Sequence, residues 1–416
     1  MLHRRYILYF LLMVFSFTQL LPVYAAEDDS PKVEGAYPQT VGKAALLMDA
    51  SSGRILYEVN SRQRLSPASV TKIMTALIVV EKGDLDLQIK ISQTAVDTPE
   101  SSIWLETGEK LTREQLLYAC MLKSANDAAV ALAESVAGSE KNFVALMNSR
   151  AAQLGMKDTH FCNPHGLENS AHYTTAYDLA LVSREALKHK IFRQVVSTKT
   201  KTIPWADNDY DRLLINQNRL LYRYDDAVGI KTGYTKQAGN CVVGAAQKGD
   251  LLLIAVAMNS PSVYQDLAQM LDYGFANFHK ETIKKSKDLS VVIPVENGQE
   301  KNVQARPKDD LNVAVTANEE AQLAYRVYPQ SQVTAPVAKG QILGSCRIYV
   351  AGHEIGQMDM LASTSVAAKP PFLTRFKVVC ITVLKIIAAV LIIFSGLYLI
   401  RLRNIRKQRH KRFYKL

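Results

Sequence analysis

Ser66-Pro67-Ala68-Ser69-Val70-Thr71-Lys72 is the stretch on which the reading of this chain turns. Ser66 suits a helix N-cap, and Pro67 suits the first helical position, where its missing N–H has no helical partner to lose. Val70, Ile73, Met74, Ala76, Leu77, Ile78, Val79 and Val80 follow on nearly every side of the axis, so the spacing predicts a core helix over Ser66–Val80. Ser69 and Lys72 then lie one turn apart on a common face. A serine in the first turn sits where N–H groups and the helix dipole favour an oxyanion, and the lysine beside it is placed to take its proton.

The 416 residues leave room for two or three domains with ample core. The formal net charge is +11, but it is concentrated at the ends. The first 25 residues carry +2 and the last 45 carry +11, which leaves −2 on the 346 between them. A near-neutral body argues against a nucleic-acid partner. Met1–Arg5 is a short basic stretch, Tyr6–Leu21 an apolar one, and Val23-Tyr24-Ala25 fits a small-residue cleavage site, so residues 1–25 read as a signal peptide. Val378–Ile400 is 23 residues long, roughly 34 Å as a helix and enough to cross a bilayer. Lys385 lies near one end of that span, where a lysine can snorkel. The basic tail, 401–416, belongs on the cytoplasmic side. The expected location is therefore the cell membrane, single-pass, with the body extracytoplasmic. Cys120, Cys162, Cys241, Cys346 and Cys380 are scattered without the spacing of a disulfide framework or a metal site, and read as free thiols.

Between the ends, Ala44–Asp49 and Gly53–Glu58 read as a hairpin around Ser51-Ser52-Gly53. Arg113–Leu122, Asp127–Val136, Lys141–Leu154, Thr174–Lys188 (with Thr174 as its cap) and Tyr264–His279 read as helices. Gly229–Thr235 reads as strand then turn, and Cys241–Ala246 and Leu251–Met258 as a second hairpin. Helices between an early hairpin and later strands predict an α+β body whose sheet unites both ends of its chain. Short β runs at Leu289–Val295, Leu311–Thr316, Ala324–Val327 and Gln341–Ala351 predict a small all-β domain after it.

Ser69-x-x-Lys72, Ser124-Ala125-Asn126 and Lys231-Thr232-Gly233 occur in that order, 55 and 107 residues apart. Each alone is common. Together they place a nucleophile on a core helix, a polar break between two helices and a cation beside a strand. With Pro67–Thr75, Ser124–Glu134, Asn163-Pro164-His165-Gly166-Leu167 and Gly229–Thr235, they make the chain resemble the serine-type D-alanyl-D-alanine carboxypeptidases, the low-molecular-mass penicillin-binding proteins. Ser124-Ala125-Asn126 stands where that family often has Ser-Gly-Asn.

The resemblance implies a serine β-lactamase/DD-peptidase-like catalytic domain over 37–280, an antiparallel sheet flanked by helices with a helical subdomain. A β-rich domain over 282–365 and a transmembrane helix over 378–400 would follow. It implies removal of the terminal D-Ala from peptidoglycan pentapeptide stems through an acyl-enzyme on Ser69, with β-lactams as covalent inhibitors and neither metal nor cofactor. Lys72 would be the base, its pKa lowered by burial and by Lys231 nearby. Ser124 would relay the proton to the leaving amine, and Asn126 would hold Lys72 and the substrate amide. Lys231 and Thr232 would bind the terminal carboxylate, Gly233 would let the substrate backbone lie along the strand, and the N–H groups of Ser69 and Tyr234 would form the oxyanion hole. His165 is as readily a local loop histidine as a water-positioning group. Glu168 reads as a solvated acid, because the Glu-x-x-Asn spacing of a β-lactamase is absent. Two other readings are a serine β-lactamase and a catalytically inactive wall-binding scaffold.

Overall fold

The computed structural model describes residues 36–205, 208–370 and 372–413, with the backbone alone for 372–379 and 408–413. The expected signal peptide and the last residues of the basic tail lie outside the described residues.

A five-stranded antiparallel sheet organises residues 36–280. Its strands are β1 (Ala44–Asp49), β2 (Ile55–Val59), β3 (Ala227–Thr235), β4 (Gly239–Lys248) and β5 (Leu251–Met258), in the order β2-β1-β5-β4-β3. The first and last parts of this body therefore meet in the middle of the sheet, with Leu46 opposite Val256. The run Ala44-Ala45-Leu46-Leu47-Met48 has no polar alternation because both faces are covered. Ala44, Leu46 and Met48 enter the core shared with the helices, whereas Ala45 and Leu47 enter a second core against α7 (Val263–Asn277).

The helical layer on the first face comprises α1 (Lys72–Lys82), α2 (Arg113–Leu122), α3 (Asn126–Ala137), α4 (Glu140–Gln153), α5 (Ala176–Ala186) and α6 (Lys190–Ser197). α1 is buried from Lys72 to Val79, as its all-round apolar pattern requires. Its start differs from expectation. Ser66 is no N-cap. A 3₁₀ turn, Ala68–Thr71, precedes α1, and Ala68 takes a φ of 49°. The cause is tertiary. A Cβ on Gly166, itself at φ 92°, would lie 1.9 Å from the Ala68 carbonyl oxygen, so the Asn163–Leu167 loop packs backbone to backbone on the turn. α5 is capped by Thr175, whose hydroxyl accepts from Asp178 N, while Thr174 is taken up by an isolated bridge to Leu65. α6 is a further short helix, and the antiparallel pair Thr200–Ile203/Arg212–Ile215 lies largely in Lys201–Tyr224, where the sequence pattern is mixed.

The second domain holds a six-stranded sheet and a two-stranded pair around its own core, which includes Ile293, Val313, Leu343, Ile348 and Met360. Strands Asn302–Pro307 and His353–Ala362 join the strands read from sequence. Asp49, at the end of β1, ties the domains together. Its carboxylate accepts from the Ser51 and Ser52 backbone N–H groups and hydroxyls and from Ala314 N across the boundary. Arg54 adds a bidentate pair with Glu319 at 2.6 and 2.9 Å.

After Pro370, α8 runs from Phe372 to Phe413. It extends beyond the expected span at both ends, because no proline interrupts it. Within its stretch Cys380–Lys407 an 18-residue window has a mean hydropathy of 2.6, and none of that window is buried among the described residues. An uncovered apolar helix of this length suits a membrane anchor.

Candidate active site

The 3₁₀ turn and α1 hold Ser69 and Lys72 where the helical layer meets the edge of the sheet. Lys72 is fully buried, an expensive place for an ammonium group unless its donors are satisfied. All three are. Nζ donates to Ser69 Oγ (3.2 Å), Asn126 Oδ1 (2.7 Å) and the His165 carbonyl (2.7 Å). Burial nevertheless lowers the Lys72 pKa to about 8, against the opposing pull of Cys120, Asp127 and Glu100. Asn126 opens α3 and Ser124 occupies the corner before it, at φ 60° and nearly buried.

Lys231 lies on β3, the edge strand of the sheet, and is 1% exposed. Its Nζ donates to the Thr232 carbonyl at 3.0 Å. Its pKa falls to about 7, first by burial and then by the positive charge of Lys72. The sequence reading placed this repulsion on Lys72. That repulsion is mutual: on Lys231 it adds to burial, while on Lys72 burial dominates and is partly offset by Cys120, Asp127 and Glu100.

Gly233 sits two residues along the same face. A Cβ there would lie 2.7 Å from Ser69 N and 3.0 Å from Val70 N, so its smallness lets β3 press against the nucleophile's own turn. The expectation concerned room for a substrate, and the structure adds this packing reason. Thr232 is half-buried and Tyr234 is 64% exposed, next along the strand towards solvent. The structure thus brings together Ser69, Lys72 and Asn126 by hydrogen bonds, and Gly233 and Lys231 by packing and charge.

His165 contributes through its backbone carbonyl. Its ring is buried, accepts from Leu167 N at 3.2 Å, and is held below its usual pKa chiefly by burial. Glu168 is more than a solvated acid. It accepts from Gln237 N at 3.0 Å, tying the Asn163–Asn169 loop to the β3–β4 turn, and that bond lowers its pKa.

Sequence reasoning missed His172. Cys162 N–H donates to its Nδ1 (3.4 Å), so its Nε2 carries the proton and bonds Thr71 Oγ1 (3.0 Å), which donates to Ala68 O (2.8 Å). Burial pushes the His172 pKa down to about 4, keeping the ring neutral behind the nucleophile turn. It also missed the packing of Gly166, whose only signal was a glycine after Asn-Pro-His. All five cysteines are free thiols.

Residues 32–262 match the D-alanyl-D-alanine carboxypeptidase family model, and residues 278–368 match that of the penicillin-binding protein 5 C-terminal domain. The D-alanyl-D-alanine carboxypeptidase DacF of Bacillus subtilis is 33% identical over 355 residues, 83% of this chain and 89% of that protein. DacC of Escherichia coli is 31% identical, covering 79% of this chain and 85% of its own length. Among solved structures, penicillin binding protein 5 from Haemophilus influenzae superposes with a TM-score of 0.62 at 28% identity, over 80% of this chain and 99% of its own.

Proposed function

The chain belongs to the D-alanyl-D-alanine carboxypeptidase family of serine hydrolases, and from that premise we propose that it removes the terminal D-Ala from peptidoglycan pentapeptide stems through an acyl-enzyme on Ser69. The observation that carries this reading is the Lys72–Ser69 hydrogen bond in a buried site, with Asn126 and the His165 carbonyl completing the ammonium's partners.

Burial lowers the Lys72 pKa to about 8, which brings its neutral form within reach near neutral pH. That neutral amine accepts the Ser69 proton as Oγ attacks the penultimate D-Ala carbonyl. The oxyanion develops between the Ser69 and Tyr234 N–H groups, and the close approach of β3 to Ser69 N supports this placement. Ser124 passes a proton to the departing amine of the terminal D-Ala. Lys231 and Thr232 receive the terminal carboxylate, and the stem lies along β3 as an added strand, which its position at the sheet edge permits. Water then releases the acyl group, while a β-lactam leaves Ser69 blocked.

Residues 1–25 act in this reading as a signal peptide, α8 as a single transmembrane anchor, the basic tail as its cytoplasmic end, and the β-rich domain as a spacer that lifts the extracytoplasmic site towards the wall. The test incubates the full-length protein in detergent with a pentapeptide stem. Release of one D-Ala by wild type and none by Ser69→Ala supports the reading, and equal release by both overturns it.

A further inference from the structure

Asp127 follows the Ser124-Ala125-Asn126 motif and is fully buried in the first turn of α3. It forms no ion pair among the described residues. Its charge is met instead by four donors. Oδ2 accepts from Ser102 Oγ (2.6 Å), Ile103 N (3.1 Å) and Leu105 N (3.2 Å), and Oδ1 accepts from Ala128 N (2.8 Å). Three of the four belong to one segment, residues 99–105, more than twenty positions upstream.

That segment also grips Asn126. Asn126 Nδ2 donates to the Pro99 carbonyl (2.8 Å), and Asn126 N donates to the Ser101 carbonyl (2.6 Å). The first of these bonds decides which end of the amide faces Lys72. With Nδ2 held by Pro99, Oδ1 is the atom presented to Nζ. If the segment lifts away, the amide is free to turn and offer its NH₂ group, a donor, to an ammonium that needs an acceptor. The far side of the segment is fixed by Arg212, which donates to the Ile103 and Trp104 carbonyls (2.8 and 3.0 Å) while buried against Glu109.

We propose that Asp127 is a positioning residue for the reaction: by clamping residues 99–105 onto Asn126, it fixes the amide orientation that holds Lys72 against Ser69. The inference rests on the assignment of Ser69 and Lys72 made above. Asp127 touches neither the substrate path nor the reacting atoms; apart from its charge in the field of Lys72, its effect passes through Asn126.

The test is acylation of the full-length protein in detergent by a fluorescent penicillin over a range of concentrations, which separates the limiting rate, the half-saturating concentration and the final labelled fraction. Asp127→Asn keeps the shape and removes the charge that collects the donors. It is expected to lower the limiting rate by about 10- to 100-fold, the scale of a misplaced reacting group. The half-saturating concentration should stay within about twofold, because binding is not what the clamp supplies. All of the protein should still label in the end. Ser102→Ala removes one of the four donors and should slow the limiting rate about two- to fivefold in the same direction. A limiting rate for Asp127→Asn equal to wild type, or a deficit confined to the labelled fraction, overturns the proposal and leaves Asp127 a purely structural anchor. If Asp127→Asn does not accumulate as folded protein, Ser102→Ala decides alone, and a wild-type rate there overturns it. Ser69→Ala in the same assay separates the two layers: persistent labelling defeats the site assignment, whereas silent Ser69→Ala with an unaffected Asp127→Asn defeats this inference only.

Discussion

Lys72 enters the site from the helical layer and Lys231 from the edge of the sheet, and the two buried ammonium groups have unequal surroundings. Lys72 donates to three oxygens and has Asp127 and Glu100 in its field. Lys231 donates to one carbonyl and has Lys72 in its field. Burial pushes both down, but the pKa of Lys72 settles at about 8 and that of Lys231 at about 7. The difference teaches that burial alone does not decide which amine is the base. Lys231 is depressed by burial and by a neighbouring cation together, whereas on Lys72 burial is partly offset by Cys120, Asp127 and Glu100. In the proposed reading, a terminal carboxylate received at Lys231 would favour its charged form, and that charge would work against the proton on Lys72. Recognition on the sheet side would thereby be coupled to activation on the helix side.

The largest expected effects break the helix side. Ser69→Ala and Lys72→Ala should each lower acylation by fluorescent penicillin at least about a thousandfold, and persistent labelling of either would remove that residue from the chemistry. Lys231→Met should separate the sides. It should lower acylation by carboxylate-bearing penicillin by about 100-fold, while an uncharged serine-directed reagent reacts at close to the wild-type rate. Equal loss with both reagents would mean that Lys231 belongs to the chemistry.

Gly233→Ala forces a methyl against Ser69 N, where backbone cannot give way. The expected result is about a tenfold loss of acylation together with lower thermal stability. Thr232→Val should raise the half-saturating concentration of a pentapeptide stem by about tenfold with little change in melting temperature; an equally large fall in stability would make Thr232 a packing residue.

The smallest effect is on stability. Both lysines have folded pKa values below their ordinary value, so from about pH 7 upward the unfolded chain binds more protons than the folded one, and stability rises with pH. Above about pH 9 the trend should reverse, because burial pushes the thiols of Cys120, Cys241 and Cys346 up to about 11. Urea midpoints between pH 7 and 10.5 test both limbs. A midpoint that falls between pH 7 and 9 would contradict the buried, partly neutral lysines.

Much of the site is legible in the sequence because its parts are short and local. Ser69 and Lys72 are one turn apart, Asn126 opens a helix, and Lys231 and Gly233 share a strand face. The α+β body is legible for a similar reason, since β1, β4 and β5 are uninterrupted apolar runs and α1 is apolar all round. What escapes the sequence depends on distant partners. The 3₁₀ start of α1 follows from Gly166 packing on Ala68, almost a hundred residues away. Asp127 looks like an ordinary first-turn acid until Ser102, Ile103 and Leu105 arrive to meet it. The unequal surroundings of the two lysines depend on distant neighbours such as Cys120 and Asp127, which no spacing reveals. Strand His353–Ala362 escapes because Gly356 takes an inward position opposite buried Ile348, which interrupts the apolar side of the alternation.

Mass spectrometry of the full-length protein, incubated in parallel with a pentapeptide stem and with penicillin, tests the central claim most directly. The account predicts loss of one D-Ala from the stem and a penicillin adduct on the peptide that carries Ser69, both abolished in Ser69→Ala. Intact stem with no adduct, or an adduct on another residue, would contradict it.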